Sequence, residues 1–141
     1  MPPYDNSKSK GASAELEVAC WLKRNGYSVS FPFGENAPND LIVESQAGKL
    51  YRVQVRCASW KKDTLTLSLR IVSKNYSRTI DRERVDTFVI WSDEGEAFVI
   101  PSYMTLENGA EFRIRRSAPR NGQKKGVRLA ETFREALGLM P

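Results

Sequence analysis

The chain has 141 residues, 40% hydrophobic and 28% charged, the proportions of one folded domain rather than of a disordered or fibrous chain. It contains no histidine and two cysteines, Cys20 and Cys57, which excludes Ser-His-Asp and Cys-His catalysis, histidine-ligated metal enzymes, paired-histidine zinc fingers, a four-cysteine zinc site and a disulfide framework. The formal net charge is +5, so chemistry has to come from carboxylates, amides, lysine or arginine in a basic molecule.

Residues 1–8, with two prolines and mostly polar content, read as a flexible tail before a single domain over 9–141. No apolar run is long enough for a membrane span, and the N-terminus lacks a basic-then-apolar signal pattern, so an intracellular, cytoplasmic protein is expected. From about Ser9 the spacing of Ala12, Leu16, Ala19 and Cys20 predicts a helix, with Lys23 and Arg24 at its C-terminal end and Asn25-Gly26 as its stop. Tyr27, Val29, Phe31 and Phe33 alternate with polar or small partners as a one-faced strand, and 34–39 is a breaker cluster.

Asp40–Glu44 and Leu50–Ala58 flank a turn at 45–49 and predict a β-hairpin. Leu65, Leu67, Leu69 and Ile71 then line one side of an alternating run, followed by a loop over 73–77 and a short helical turn near Ile80–Val85 capped by Thr79 or Asp81. Thr87–Trp91 and Glu96–Pro101 form a second hairpin, 112–114 a short strand, 117–126 a basic loop, and Leu129–Leu137 a closing helix. The sum is an α+β domain, a mainly antiparallel or mixed sheet flanked by a few helices.

If the first hairpin turns about Ala47, Glu44 faces Leu50, Ile42 faces Arg52 and Asp40 faces Gln54, with cross-strand Cβ atoms roughly 5 Å apart. Leu41, Val43, Tyr51, Val53, Val55 and Cys57 take the core face, and both cysteines are expected to be buried thiols. The opposite face then gathers Asp40, Gln54 and Arg56, and a carboxylate, an amide oxygen and a cation so placed can hold a hard divalent ion beside a phosphate. Glu15 falls on the inward side of the first helix, where a carboxylate needs a metal or a cation to balance it. Taken singly, each residue has a plainer reading: Asp40 as a turn residue, Gln54 as a polar strand position, Glu15 as a helix-edge acid with its head in water.

Two basic fields stand out. Arg52, Arg56, Lys61, Lys62, Arg70, Lys74 and Arg78 are interrupted by few acids, and no acid falls among Arg113, Arg115, Arg116, Arg120, Lys124, Lys125 and Arg128. They fit a polyanionic partner, or equally a solvated face, and charge alone does not separate the two. Trp60 beside Lys61-Lys62 either stacks on a base or belongs to the core. Arg82 and Arg84 either meet phosphate or pair with Asp81, Glu83 or Asp86.

Lys10-Gly11, Glu15 on a helix ending Lys23-Arg24-Asn25-Gly26-Tyr27, then Phe33-Gly34-Glu35-Asn36, Asn39-Asp40-Leu41-Ile42-Val43 and Gly48-Lys49-Leu50-Tyr51-Arg52-Val53-Gln54-Val55-Arg56 together resemble the PD-(D/E)XK nuclease superfamily. More narrowly they resemble its group-I-intron-associated homing endonuclease branch, in which glutamine replaces the acid of the second motif. The resemblance is strong over about the first 60 residues and looser at 85–89 and 126–131. It implies a restriction-endonuclease-like core (α-β-β-β-α-β) and a Mg²⁺-dependent endodeoxyribonuclease, with Mn²⁺ as a substitute. Glu15, Asp40 and Gln54 would hold the metal and, with Arg56, form the catalytic set. Double-stranded DNA would be the partner, contacted by Lys61, Lys62, Lys74, Arg78, Arg113, Arg115, Arg116, Arg120, Lys124 and Lys125. A homodimer or homotetramer follows, since cutting both strands with one small site per chain takes two copies.

Arg56 stands where the family carries lysine. Arginine supplies the charge and a bidentate fork but stays protonated, so proton removal would fall to water polarised by the cation or to substrate phosphate. Three further readings stay open beside the site-specific nuclease: a catalytically silent DNA-binding protein with Arg56 filling the metal position, a Holliday-junction or branched-DNA nuclease, and an RNA-binding ribosomal accessory protein.

Overall fold

A computed structural model describes residues 7–34, 39–72, 75–134 and 140. Helix α1 spans Ser7–Arg24. It ends where Asn25 folds its side-chain amide back onto the Trp21 carbonyl at 2.8 Å and Gly26 takes φ 92°, a left-handed conformation that favours glycine. Strands β1 (Ser28–Ser30), β2 (Leu41–Glu44) and β3 (Leu50–Ala58) follow, each antiparallel to the next. The hairpin register matches the sequence expectation, Ile42 opposite Arg52 and Glu44 opposite Leu50.

After β3 the chain makes β4 (Thr64–Ser68), β5 (Arg70–Val72) and β6 (Ser77–Thr79), then a single 3-10 turn at Arg82–Arg84 capped by the Asp81 carboxylate. Strands β7 (Thr87–Ser92) and β8 (Ala97–Pro101) return to the main sheet, and β9 (Glu111–Arg115) pairs with β4. The five-stranded sheet has the order β1-β2-β3-β7-β8, with β3 and β7 parallel. The crossover between those parallel strands therefore runs through β4, β5 and β6, and the second helix of an α-β-β-β-α-β core is reduced to that one 3-10 turn.

The sheet is covered on both faces. One face carries Leu41, Val43, Val53, Val55, Val89 and Val99 under Ala14, Val18 and Leu22 of α1. The other carries Phe88, Ile90, Phe98 and Ile100 under Leu65 and Leu67 of β4 and Phe112 and Ile114 of β9. Burial on both sides explains why β7 and β8 read as continuous apolar runs rather than alternating ones. Truncating Leu67, which is fully buried, should cost about 2–5 kcal/mol by urea denaturation, whereas exposed Leu16→Ala should stay within about 0.5 kcal/mol.

Several expectations are corrected. Helix α1 buries Ala14, Val18, Ala19 and Leu22, while Ala12, Leu16 and Cys20 face solvent, because the sheet selects the stripe carrying Val18 and Leu22. Both cysteines are exposed; Cys57, at the end of β3, donates to the Lys10 carbonyl at 3.4 Å. Phe31 and Phe33 do not extend β1 and are exposed. Their strand stops at Ser30, opposite Ile42; continued in that register Phe31 would meet Leu41, the first residue of β2, and Phe33 would lie beyond it with nothing to pair with. Ser77, expected in the loop, and Thr79, expected as a possible helix cap, instead belong to β6, which pairs with β5. Of the closing helix, Ala130–Phe133 is present as α2; its continuation, like residues 1–6 of the N-terminal tail, lies outside the described residues.

Candidate active site

The ladder between β2 and β3 opens at Asp40. Its amide donates to the Val53 carbonyl at 3.1 Å, out of step with the pairing of Leu41 to Val53, and one carboxylate oxygen accepts from the Val55 amide at 2.8 Å. A strand amide points along the plane of its sheet, so the Asp40 carboxylate lies in that plane, in the gap between the strands, rather than standing on one face. This departs from a simple face-sharing of Asp40 with Gln54. Val53 and Val55 pack under α1, so strand alternation puts Gln54 and Arg56 on the other face of β3, with Asp40 between them and the helix.

From the helix side Glu15 meets Asp40. The two carboxyl groups share a hydrogen bond, and the Glu15 pKa is pushed up to about 7, first by burial and then by the Asp40 charge and that hydrogen bond. Two neighbouring acids cannot both ionise cheaply, so Glu15 holds its proton to higher pH than an ordinary carboxyl. Glu15 also reaches Cys57, whose thiol is raised first by desolvation and then by the Glu15 charge, against Lys10, which lowers it.

Arg56 is half-buried, its Nε is shut off from solvent, and that Nε has no hydrogen-bond partner. Other arginines nearby are satisfied. Arg52 forks onto Asp86 at 3.0 Å through both Nε and Nη2, holding the Asp86 carboxyl below the usual carboxylate range, and Arg82 donates to the carbonyls of Thr105 and Asn108. A buried donor left unmade costs about 1–3 kcal/mol, which marks Arg56 as a group built to receive an acceptor. Asn39 is the residue sequence reasoning passed over: it is buried directly before Asp40, and its Oδ1 has no partner either. Its adjacency to Asp40 was the available signal.

The donor set fits a divalent cation. Glu15 and Asp40 offer hard carboxylate oxygens close enough to shift one another, whereas Gln54, paired in register with Phe88, carries its neutral amide oxygen on the face of β3 away from the helix. Among the described residues no group of three or more acids or cysteines gathers anywhere in the chain, so a cation here would rest on two carboxylates plus neutral oxygens.

The expected DNA-contacting residues divide by what they touch. Lys61, Arg113 and Arg115 line a groove of about 1100 Å³ along the β4–β9 ribbon. Lys62, Arg120, Lys124 and Lys125 are exposed. Arg78 lies over the Tyr76 ring at 5.8 Å. Arg116 is held by Glu94 and stacks 4.1 Å over Trp60, itself partly buried against Phe98 and bonded to Glu96. Trp60 thus packs at the edge of the core, while Arg116 stays exposed beside it. Arg84 lies 3.7 Å from Asp81. Lys74 lies outside the described residues.

The chain belongs to the PD-(D/E)XK endonuclease family, whose sequence pattern matches residues 5–136. Among solved structures it is similar to a bacterial homing endonuclease, I-Ssp6803I, at a TM-score of 0.76 and 22% identity, over 96% of this chain and 93% of that one. A more distant likeness is to Archaeoglobus fulgidus Hjc, a Holliday junction resolvase, at a TM-score of 0.49 and 15% identity, over 75% of this chain and 84% of that one. At these identities the likeness is one of fold. No curated protein matches the sequence. No helix among the described residues is long and apolar enough to cross a membrane.

Proposed function

We propose that this protein is a divalent-cation-dependent DNA endonuclease that hydrolyses phosphodiester bonds at specific sites, with Glu15, Asp40 and Gln54 as metal ligands and Arg56 as the cation facing the scissile phosphate. The observation that carries the reading is the coupling of Glu15 to Asp40, whose charge and hydrogen bond, after burial, push Glu15 up to about 7. Without a cation, such a pair is an electrostatic cost with no structural return.

One Asp40 oxygen is fixed by the Val55 amide, which leaves the other to Glu15 or to a ligand that displaces its proton. On binding a cation, Glu15 would lose its proton and could supply a second anionic oxygen. A bound Mg²⁺ or Mn²⁺ would polarise the phosphate and lower the pKa of the attacking water. Arg56, permanently charged, cannot remove a proton; its unpartnered Nε suits a phosphate oxygen, where a guanidinium stabilises the charge that builds in the transition state. Function as a homodimer or homotetramer follows from one site per chain, and sedimentation of the protein alone and with duplex tests it.

The buried Arg56 also favours one competing reading, a silent DNA-binding protein in which the guanidinium occupies the cation's position. Nicking of supercoiled plasmid in Mg²⁺, against EDTA, separates the two. Cleavage should require the metal, and Arg56→Lys should match or exceed the parent, since lysine supplies the same charge and is the residue the family uses. Arg56→Met should fall by about a hundredfold, the scale of losing one aimed donor. Absence of metal-dependent nicking under all conditions favours the silent protein. Four-way junctions compared with linear duplex distinguish a branched-DNA substrate.

A further inference from the structure

The β4–β9 ribbon is anchored from one side only. Leu65, Leu67, Phe112 and Ile114 are fully buried against the main sheet. Strand alternation therefore turns Thr64, Thr66, Arg113 and Arg115 outward, and the register sets Thr64 opposite Arg115 and Thr66 opposite Arg113. These four form a compact patch of hydroxyls and guanidinium forks on a rigid support, facing the groove of about 1100 Å³.

We propose that this outward face reads base edges in the major groove of duplex DNA, with Arg113 and Arg115 as the discriminating residues and Thr64 and Thr66 as their neighbours in the contact. The proposal deepens the nuclease reading and rests on it only for the identity of the polyanion. Three features support it. Two strands about 4.8 Å apart, with their side chains, fit a groove about 12 Å wide. The groove on the protein is basic, lined by Lys61 and Arg128 beside the two reading arginines, with Glu111 its single acid. Cys57 and Ala58, immediately after Arg56 on β3, line the same groove, so a duplex seated on the ribbon runs beside the strand carrying Gln54 and Arg56.

Glu111 has a part in this. It lies two residues before Arg113 on the same face and accepts from its Nε and Nη2 at 3.1 and 2.7 Å. Both side chains are about half-exposed or more, 67% for Arg113 and 46% for Glu111, so the pair adds little stability. It orients the fork while leaving the remaining donors open. A guanidinium held in one plane suits the two acceptors on a guanine edge, which a freely rotating lysine does not reproduce.

The test is selection of bound duplexes from a pool with a randomised centre, in EDTA, so that binding is read without cleavage. The parent should enrich a consensus. Arg113→Lys, which keeps the charge, should change that consensus at one base position and weaken binding to the parent's preferred duplex by about tenfold with an unchanged salt slope. Lys124→Gln with Lys125→Gln should weaken all duplexes alike and reduce the log–log salt slope by about two. Failure of the parent to enrich a consensus, or an Arg113→Lys consensus identical to it, overturns the proposal. Because no metal is present, intact selection together with absent plasmid nicking in Mg²⁺ would overturn the nuclease reading while leaving this one standing.

Discussion

Asp40→Asn should reduce metal-dependent plasmid cleavage by about a thousandfold or more, since several kcal/mol of transition-state stabilisation pass through the cation and each 1.4 kcal/mol is a factor of ten. The substitution is nearly isosteric, and the asparagine carbonyl oxygen can still accept from the Val55 amide that Asp40 now engages, so the strand junction should survive. Duplex binding in EDTA should stay within a few-fold of the parent. A second signature accompanies it. The Asp40 charge is one of the causes that raise Glu15, after burial, so Glu15 in the variant should titrate nearer the ordinary carboxylate range, by carboxyl-carbon NMR. Undiminished cleavage by Asp40→Asn would remove the site from this opening altogether.

Glu15→Gln should also suppress cleavage, by about a hundredfold, through loss of one anionic ligand, and it should change how stability depends on pH. In the metal-free protein the Glu15 pKa is about 7 against an ordinary 4.5. The folded chain thus holds a proton that the unfolded chain releases between those values. The stabilisation this gives is complete below 4.5 and is lost as the pH rises through 7. Allowing for screening by solvent, the parent in EDTA should lose about 1–2 kcal/mol between pH 5 and 8 from this group. Glutamine keeps an amide donor toward Asp40 and carries no titratable proton, so the variant's profile should be flatter by that amount in urea denaturation. Saturating Mg²⁺ should stabilise the parent more at pH 8 than at pH 5, because at low pH the cation competes with the bridging proton. Superimposable pH profiles for parent and variant would mean that Glu15 and Asp40 do not share a proton.

The hairpin shows how far local pattern reaches. Alternation from Leu41 to Val43 and from Tyr51 to Val55, with a turn of fixed length, leaves one register that buries the apolar set, since a slip by one residue would expose all of it. Helix α1 shows where pattern fails. Its two stripes, Ala12-Leu16-Cys20 and Ala14-Val18-Leu22, are both apolar enough to face inward, and only the valines of β3 waiting beneath choose between them. Phe31 and Phe33 misled for a similar reason: alternation predicts a strand, but a strand exists only where a partner supplies hydrogen bonds, and the antiparallel β2 begins only at Leu41. The parallel pairing of β3 with β7 joins segments separated by three intervening strands, a non-local contact with no local sequence signature.

The candidate site divides along the same line. Composition removed histidine chemistry outright, and the ordered run of Glu15, Asp40, Gln54 and Arg56 identified the acids, amide and cation worth following, because residue type fixes charge, donor capacity and protonation. Tertiary structure decided that Asp40 leaves the ladder to accept from the Val55 amide, that burial and Asp40 raise Glu15, and that Trp60 packs on Phe98 while Arg113 lines the groove. Those outcomes depend on distances between segments far apart in the chain and on the desolvation they produce together, quantities that no single stretch of residues carries.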